Sequence, residues 1–143
     1  MKALRHAGIV VKDLAKALYF YRDLLGLKIV KQADETGEFI DKISGLQNVK
    51  VTTVKMATDN GNLLELLYYH THPRKSMGKQ DICELGVSHV AFTVEDIEGL
   101  YGKLLNERIE FNTRPQVSAD GGAKVTFCRD YENNLVELVE ELK

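Results

Sequence analysis

The apolar positions of the chain follow two patterns, and each pattern occurs twice. Ala3 to Val11 alternates as a strand does, with Leu4, His6, Gly8 and Val10 on one face and Arg5, Ala7, Ile9 and Val11 on the other. Asp13 then stands where a helix N-cap accepts from free backbone N–H groups. Leu14, Ala17, Leu18, Tyr21 and Leu25 recur on one helical stripe, and Gly26 predicts its left-handed stop. Leu27 to Lys31 predicts a second strand. Asp34 to Asn48 is less regular; Phe39, Ile40, Ile43 and Leu46 predict a short amphipathic helix or a flap. Val49 to Ala57 is rich in Val and Thr, Asp59-Asn60-Gly61-Asn62 is a hairpin turn, and Leu63 to Tyr69 is a strand with one charge, Glu65.

The second half repeats this order. His6-Ala7-Gly8-Ile9-Val10-Val11-Lys12-Asp13-Leu14 and His89-Val90-Ala91-Phe92-Thr93-Val94-Glu95-Asp96-Ile97 stand 83 positions apart. In the strand Val87 to Val94, Val87, His89, Ala91 and Thr93 share one face. Val90, Phe92 and Val94 form the apolar face expected to pack under a helix, which leaves the histidine face to line a cleft. Asp96 repeats the N-cap, and Ile97, Leu100, Tyr101 and Leu104 repeat the stripe. Ile109 to Phe111 predicts a short strand, Gln116 to Gly122 a loop, and Ala123 to Cys128 and Leu135 to Val139 the last two strands. Asn62-Leu63-Leu64-Glu65-Leu66-Leu67 matches Asn134-Leu135-Val136-Glu137-Leu138-Val139 at an offset of 72. The reading is an α+β chain of two tandem βαβββ modules, about 1–69 and 86–143, with a polar linker over 70–85.

Composition narrows the class. The 143 residues are 44% hydrophobic and 28% charged with two prolines, which argues for one globular domain and against disorder. A net charge of −2 gives no electrostatic reason to expect nucleic acid. No apolar run approaches the ~18 residues of a membrane span. Lys2, Arg5, Lys12 and Asp13 interrupt the N-terminal apolar residues, unlike a signal peptide. Cys83 and Cys128, without C-x-x-C spacing, fit a reduced cytoplasmic protein.

A charge inside a Leu-rich strand is costly unless it is paired or metal-bound. A lone strand histidine is commonly a satisfied core residue, and a lone glutamate a salt-bridge partner. Here both recur at repeat-related positions, and two like units tend to pack about a pseudo-twofold axis. His6, Glu65, His89 and Glu137 would then meet as two imidazoles and two carboxylates, a set that suits Zn, Ni, Co, Mn or Fe. The small residues Gly8 and Ala91 leave room beside them. His70 and His72 lie in the polar connection and are expected to face solvent.

At these residues the chain resembles the vicinal oxygen chelate superfamily, which includes glyoxalase I and methylmalonyl-CoA epimerase. The first module is carried by His6 to Leu14 and by Phe20-Tyr21-Arg22-Asp23-Leu24-Leu25-Gly26-Leu27, the second by Gly86 to Asp96. Asp130 to Leu138 is similar to the closing Asp-Pro-x-Gly-x-x-x-Glu-Leu, with Tyr131 for the Pro and Asn133 for the Gly; Asn tolerates the left-handed turn. The resemblance implies curved mixed sheets around a metal-binding cleft, a small-molecule substrate and a homodimer. The order His, Glu, His, Glu is most like bacterial-type glyoxalase I (lactoylglutathione lyase). It implies His6, Glu65, His89 and Glu137 as ligands of one divalent ion (Ni, Zn, Co or Mn), with Glu137 and Glu65 moving a substrate proton beside a chelated carbonyl and hydroxyl of a hemithioacetal-like compound. An epimerase is the alternative: Gly121 to Val125 resembles it, but the strand Val49 to Lys55 lacks that enzyme's acid. Ring-cleaving dioxygenases use two His and one Glu, typically in longer chains. Metal-free drug-binding relatives of the bleomycin-resistance type generally lack the ligand set. Arg5, Arg22 and Arg114 are candidates for a substrate carboxylate, and the flap over 34–48 and the loop over 116–122 are expected to shape the pocket.

Overall fold

The computed structural model describes residues 1–73 and 75–143; Arg74 of the polar linker lies outside the described residues. The chain divides into two compact units, Met1–Ser76 and Met77–Lys143. The first contains β1 (Ala7–Val10), α1 (Leu14–Leu18) with a widened continuation over Tyr19–Leu24, β2 (Lys28–Thr36), α2 (Glu38–Ser44), β3 (Lys50–Ala57) and β4 (Leu63–Tyr69). The second contains β5 (His89–Thr93), α3 (Ile97–Asn106), β6 (Gln116–Val117), β7 (Ala123–Arg129) and β8 (Leu135–Glu141). The sheet orders are β1-β4-β3-β2 and β5-β8-β7-β6. In each, the first strand runs parallel to the last and the other pairings are antiparallel. The two mixed sheets with few helices confirm the α+β class. Among the described residues no helix is long and apolar enough to cross a membrane.

The helices start where their caps stand. Asp13 accepts from Lys16 N at 3.0 Å, and Asp96 from Gly99 N at 2.9 Å. In the first unit, Ala17, Phe20, Tyr21 and Leu24 are buried, as are Val54 and Met56 of β3 and Leu64 and Leu66 of β4. In the second, Ile97 and Leu104 of α3 and Val136 and Leu138 of β8 are buried. Removing such side chains from water is the main drive holding helix to sheet.

Several expectations are corrected. The first helix does not keep one α-helical stripe to Leu25. Tyr19–Leu24 is a π-type turn in which Leu25 N donates to Phe20 O and Leu27 N to Tyr21 O, both at 3.0 Å. The wider turn rotates Phe20 and Leu24 into the core and leaves Leu25 only partly buried. Gly26 ends it at φ +84°, as expected. The equivalent point after α3 is Arg108 at φ +60°, followed by buried Ile109, whose N–H reaches Leu104 O. Strand β2 extends to Thr36 and carries a register irregularity between Ile29 and Lys31. On α2 only Ile40 is buried, with Val49 and Val51; Phe39 is 72% exposed. Ile109 to Phe111 makes one bridge, Phe111 to Cys128, rather than a strand. Within the expected loop, Gln116 and Val117 form β6, and Asp120 fastens the remainder. Its Oδ1 accepts from Ser118 Oγ at 2.6 Å and Gly122 N at 3.0 Å, which holds the carboxyl below its usual range.

Candidate metal centre

In the first unit the parallel pairing sets Gly8 opposite Glu65. His6 lies two residues earlier, and side chains two apart share a strand face. Its Nε2 stands 3.0 Å from Glu65 Oε2. The second unit repeats the arrangement: Ala91 is opposite Glu137, and His89 Nε2 stands 3.1 Å from Glu137 Oε2. The small residue opposite each glutamate gives it space. At Gly8 a packing demand adds to this, since a Cβ there would lie 3.3 Å from Leu67 Cδ1.

The two pairs differ in their surroundings. Lys55 is the cross-strand partner of Glu65, with Nζ 3.4 Å from Oε1. Glu137 instead faces Phe127, whose ring meets His89 edge-on with centroids 5.2 Å apart. His89 Nδ1 is 3.0 Å from Ser88 Oγ, whereas His6 Nδ1 is buried with no hydrogen-bond partner among the described residues.

Imidazole nitrogen and carboxylate oxygen are the donors a borderline divalent cation prefers. Two donors each about 2.1 Å from one ion lie about 3.0 to 3.4 Å apart, from right-angled to tetrahedral ligation. The observed 3.0 and 3.1 Å match that separation, and also an Nε2–H bond donated to the carboxylate. Each unit therefore carries two compatible donors. Neither unit by itself gathers three or more His, Cys, Asp or Glu side chains into a metal-holding group among the described residues.

His70 is exposed, as expected, but its ring also has partners. Alternation along β4 puts Leu64, Leu66, Tyr68 and His70 on the face opposite Glu65. There Thr52, only 5% exposed, donates from Oγ1 to Asp34 Oδ1 at 2.5 Å. The hydroxyl proton being committed to Asp34, His70 Nε2–H donates to Thr52 Oγ1 at 2.7 Å. The His70 ring also meets Tyr68 edge-on at 4.8 Å, and His70 N donates to Lys50 O at 2.8 Å. His72 pairs locally with Thr71 Oγ1 at 3.0 Å. Neither joins the Glu65 face.

Arg22 forms a surface pair with Asp23, whose hydrogen bond and charge raise the guanidinium pKa; Arg5 and Arg114 are exposed. Among the described residues the buried arginine is Arg129, which none of the sequence patterns singles out. It is 6% exposed, shares the Glu137 face of β7 with Phe127, and donates to Gln80 O at 2.8 Å and Asn133 O at 2.9 Å. Its signal was a charge at the end of an apolar strand. Lys55 was visible in the same way, as a charge between Val54 and Met56. In the closing turn Asn133 adopts φ +69°, and Asp130 Oδ1 accepts from Glu132 N and Asn134 N, both at 2.9 Å.

Repeated sheets with a His–Glu pair in each define a two-module protein of the vicinal oxygen chelate kind. The chain belongs to the Glyoxalase/Bleomycin resistance protein/Dioxygenase superfamily, whose family profile matches residues 3–138. It is 29% identical to a lactoylglutathione lyase of Schizosaccharomyces pombe over 146 residues, covering 96% of this chain and 47% of that protein. The chain thus spans about half the length of that relative. It is 26% identical to a probable lactoylglutathione lyase of Synechocystis, covering 96% of this chain and 94% of the other. The crystal structure of a glyoxalase family protein from Bacillus cereus superposes with a TM-score of 0.91 at 27% identity, over 100% of this chain and 96% of that one.

Proposed function

We propose that the protein is a metal-dependent lyase or isomerase of the glyoxalase I type, acting on a small α-oxygenated carbonyl compound such as a hemithioacetal. The observation that supports it is the same His–Glu pair at the same place in both sheets, at 3.0 and 3.1 Å. In this reading the modules work as one domain, and His6, Glu65, His89 and Glu137 together hold one Ni, Zn, Co or Mn ion. When bound, such an ion polarises the neighbouring carbonyl and hydroxyl oxygens of the substrate and eases loss of the intervening C–H proton. The chain's own part is proton handling. Glu137 takes the proton from one carbon and returns it to the next, with Glu65 as the second carboxylate able to serve. His6 and His89 hold their ring nitrogens toward these oxygens. The site-facing residues of β3 are Val51, Thr53, Lys55 and Ala57, with no acid among them, which favours this reading over the thioester epimerase. A homodimer in the cytoplasm completes the proposal.

Elemental analysis of the untagged protein, before and after chelation and reloading with Ni or Zn, tests it. About one ion per chain is expected, lost in His6→Ala, together with isomerisation of the methylglyoxal–glutathione hemithioacetal. No uptake on reloading would sink the proposal and favour a metal-free binding protein.

A further inference from the structure

The two sheets are alike in order, direction and His–Glu pairing, but not in what stands across from each glutamate. Opposite Glu137 is an aromatic ring; opposite Glu65 is an ammonium. The register continues the row. Lys31 on β2 is the cross-strand partner of Lys55, so Gly8, Glu65, Lys55 and Lys31 run side by side across the first sheet on one face. We infer that Lys55, with Lys31 beside it, is the specificity residue that reads an anionic group (a carboxylate or a phosphate) on the substrate.

Three observations carry this. First, Lys55 is not spent on Glu65. At 3.4 Å the contact is longer than an ordinary N–H···O bond, and the ammonium has no other partner among the described residues. Second, its side chain is 27% exposed, so its unused N–H donors are open to solvent while its stem packs against the sheet. Third, the charges do not balance without an anion. The inference rests on the proposed function here: a divalent ion with Glu65 and Glu137 is neutral, which leaves Lys55 as an unmatched positive charge, while Lys31 shares its face of β2 with Glu35. An anionic substrate restores the balance, and the first module is placed to read it: across from Glu137, Phe127 offers no charge, and Arg129 on the same face of β7 is buried and already donates to Gln80 O and Asn133 O.

The test measures binding to the metal-loaded 143-residue chain by calorimetry, using three small oxygenated carbonyl probes that differ in charge: dihydroxyacetone, hydroxypyruvate and dihydroxyacetone phosphate. At least one of the two anions is expected to bind about fivefold tighter than the neutral probe, the upper end of what a partly exposed charge contact contributes. Which anion is preferred tells carboxylate from phosphate. Lys55→Met is expected to abolish the preference while leaving dihydroxyacetone affinity within about twofold, and Lys55→Arg to keep it. Lys55→Gln serves if the Met variant does not fold. A preference that persists in Lys55→Met would show the anion to be read elsewhere and overturn the inference. So would equal binding of all three probes by the wild type, with the metal retained and the proposed function intact. Failure to load metal would overturn both.

Discussion

Replacing His70 with alanine separates stability from chemistry. The substitution removes the Nε2–H bond to Thr52 Oγ1 at 2.7 Å and the edge contact with Tyr68 at 4.8 Å. A hydrogen bond contributes about 1 kcal/mol net and an aromatic edge contact about 0.5 kcal/mol at an exposed position, so the expected loss is about 1.5 kcal/mol. Unfolding entropy near 2.1 cal/mol/K per residue gives about 0.3 kcal/mol/K for the 143-residue chain, taken as one transition. The melting temperature should therefore fall by about 5 °C, as read by circular dichroism. Metal content and turnover of the folded variant should match the wild type, because His70 stands on the sheet face opposite Glu65. Loss of metal equal to that in His89→Ala would refute the assignment of faces. An unchanged melting temperature would refute the energetic value given to the Asp34–Thr52–His70 chain.

Glu137→Gln, which removes an anionic donor at constant shape, should lower both metal occupancy (by elemental analysis) and turnover at least tenfold. Asp96→Ala should cost about 1 kcal/mol by freeing Gly99 N, and a thermal melt lowered by about 3 °C would show it. Of the two thiols, exposed Cys83 should react rapidly with a disulfide reagent and buried Cys128 only after unfolding. Burial, with the nearby charge of Asp130, pushes the Cys128 thiol from 9.0 up to about 12. Its contribution to stability is then complete below pH 9 and declines as pH rises toward 12, because the unfolded chain loses that proton first. Urea midpoints between pH 8 and pH 10.5 should fall less steeply in Cys128→Val than in the wild type.

The repeat was legible because it is written in local terms. Asp13 and Asp96 each precede a helical stripe, and Glu65 and Glu137 each interrupt an apolar strand, so their elements could be placed without knowing the sheet. The equivalent places of His6 and His89, and of Glu65 and Glu137, followed from two copies of one pattern. What the sequence did not disclose depends on register. Whether Lys55 stands across from Glu65, whether Thr52 lies between Asp34 and His70, and which face Arg129 takes are all set by how β2, β3, β4, β7 and β8 align. An irregularity in β2 between Ile29 and Lys31 makes that alignment unreadable from alternation alone. Ile109 to Phe111 failed for another reason. It is apolar because Ile109 is buried after a left-handed turn, not because it pairs along a strand.

The π-type turn in the first helix accounts for a change in spacing between the two halves. Before the helices, matching residues are 83 positions apart: His6 and His89, Asp13 and Asp96. After them the spacing is 82, as in the left-handed residues Gly26 and Arg108 and the buried Leu27 and Ile109. The first copy thus holds one more residue within its helix, and the widened turn is where that residue is accommodated. Leu27 N reaches back six positions to Tyr21 O, while Ile109 N reaches five to Leu104 O. Tyr21 and Leu104 are themselves 83 apart, so the discrepancy arises between them and the residues that follow. The one-residue difference between the two halves is taken up as a bulge in a helical coil, where in a strand it would flip every side chain beyond it.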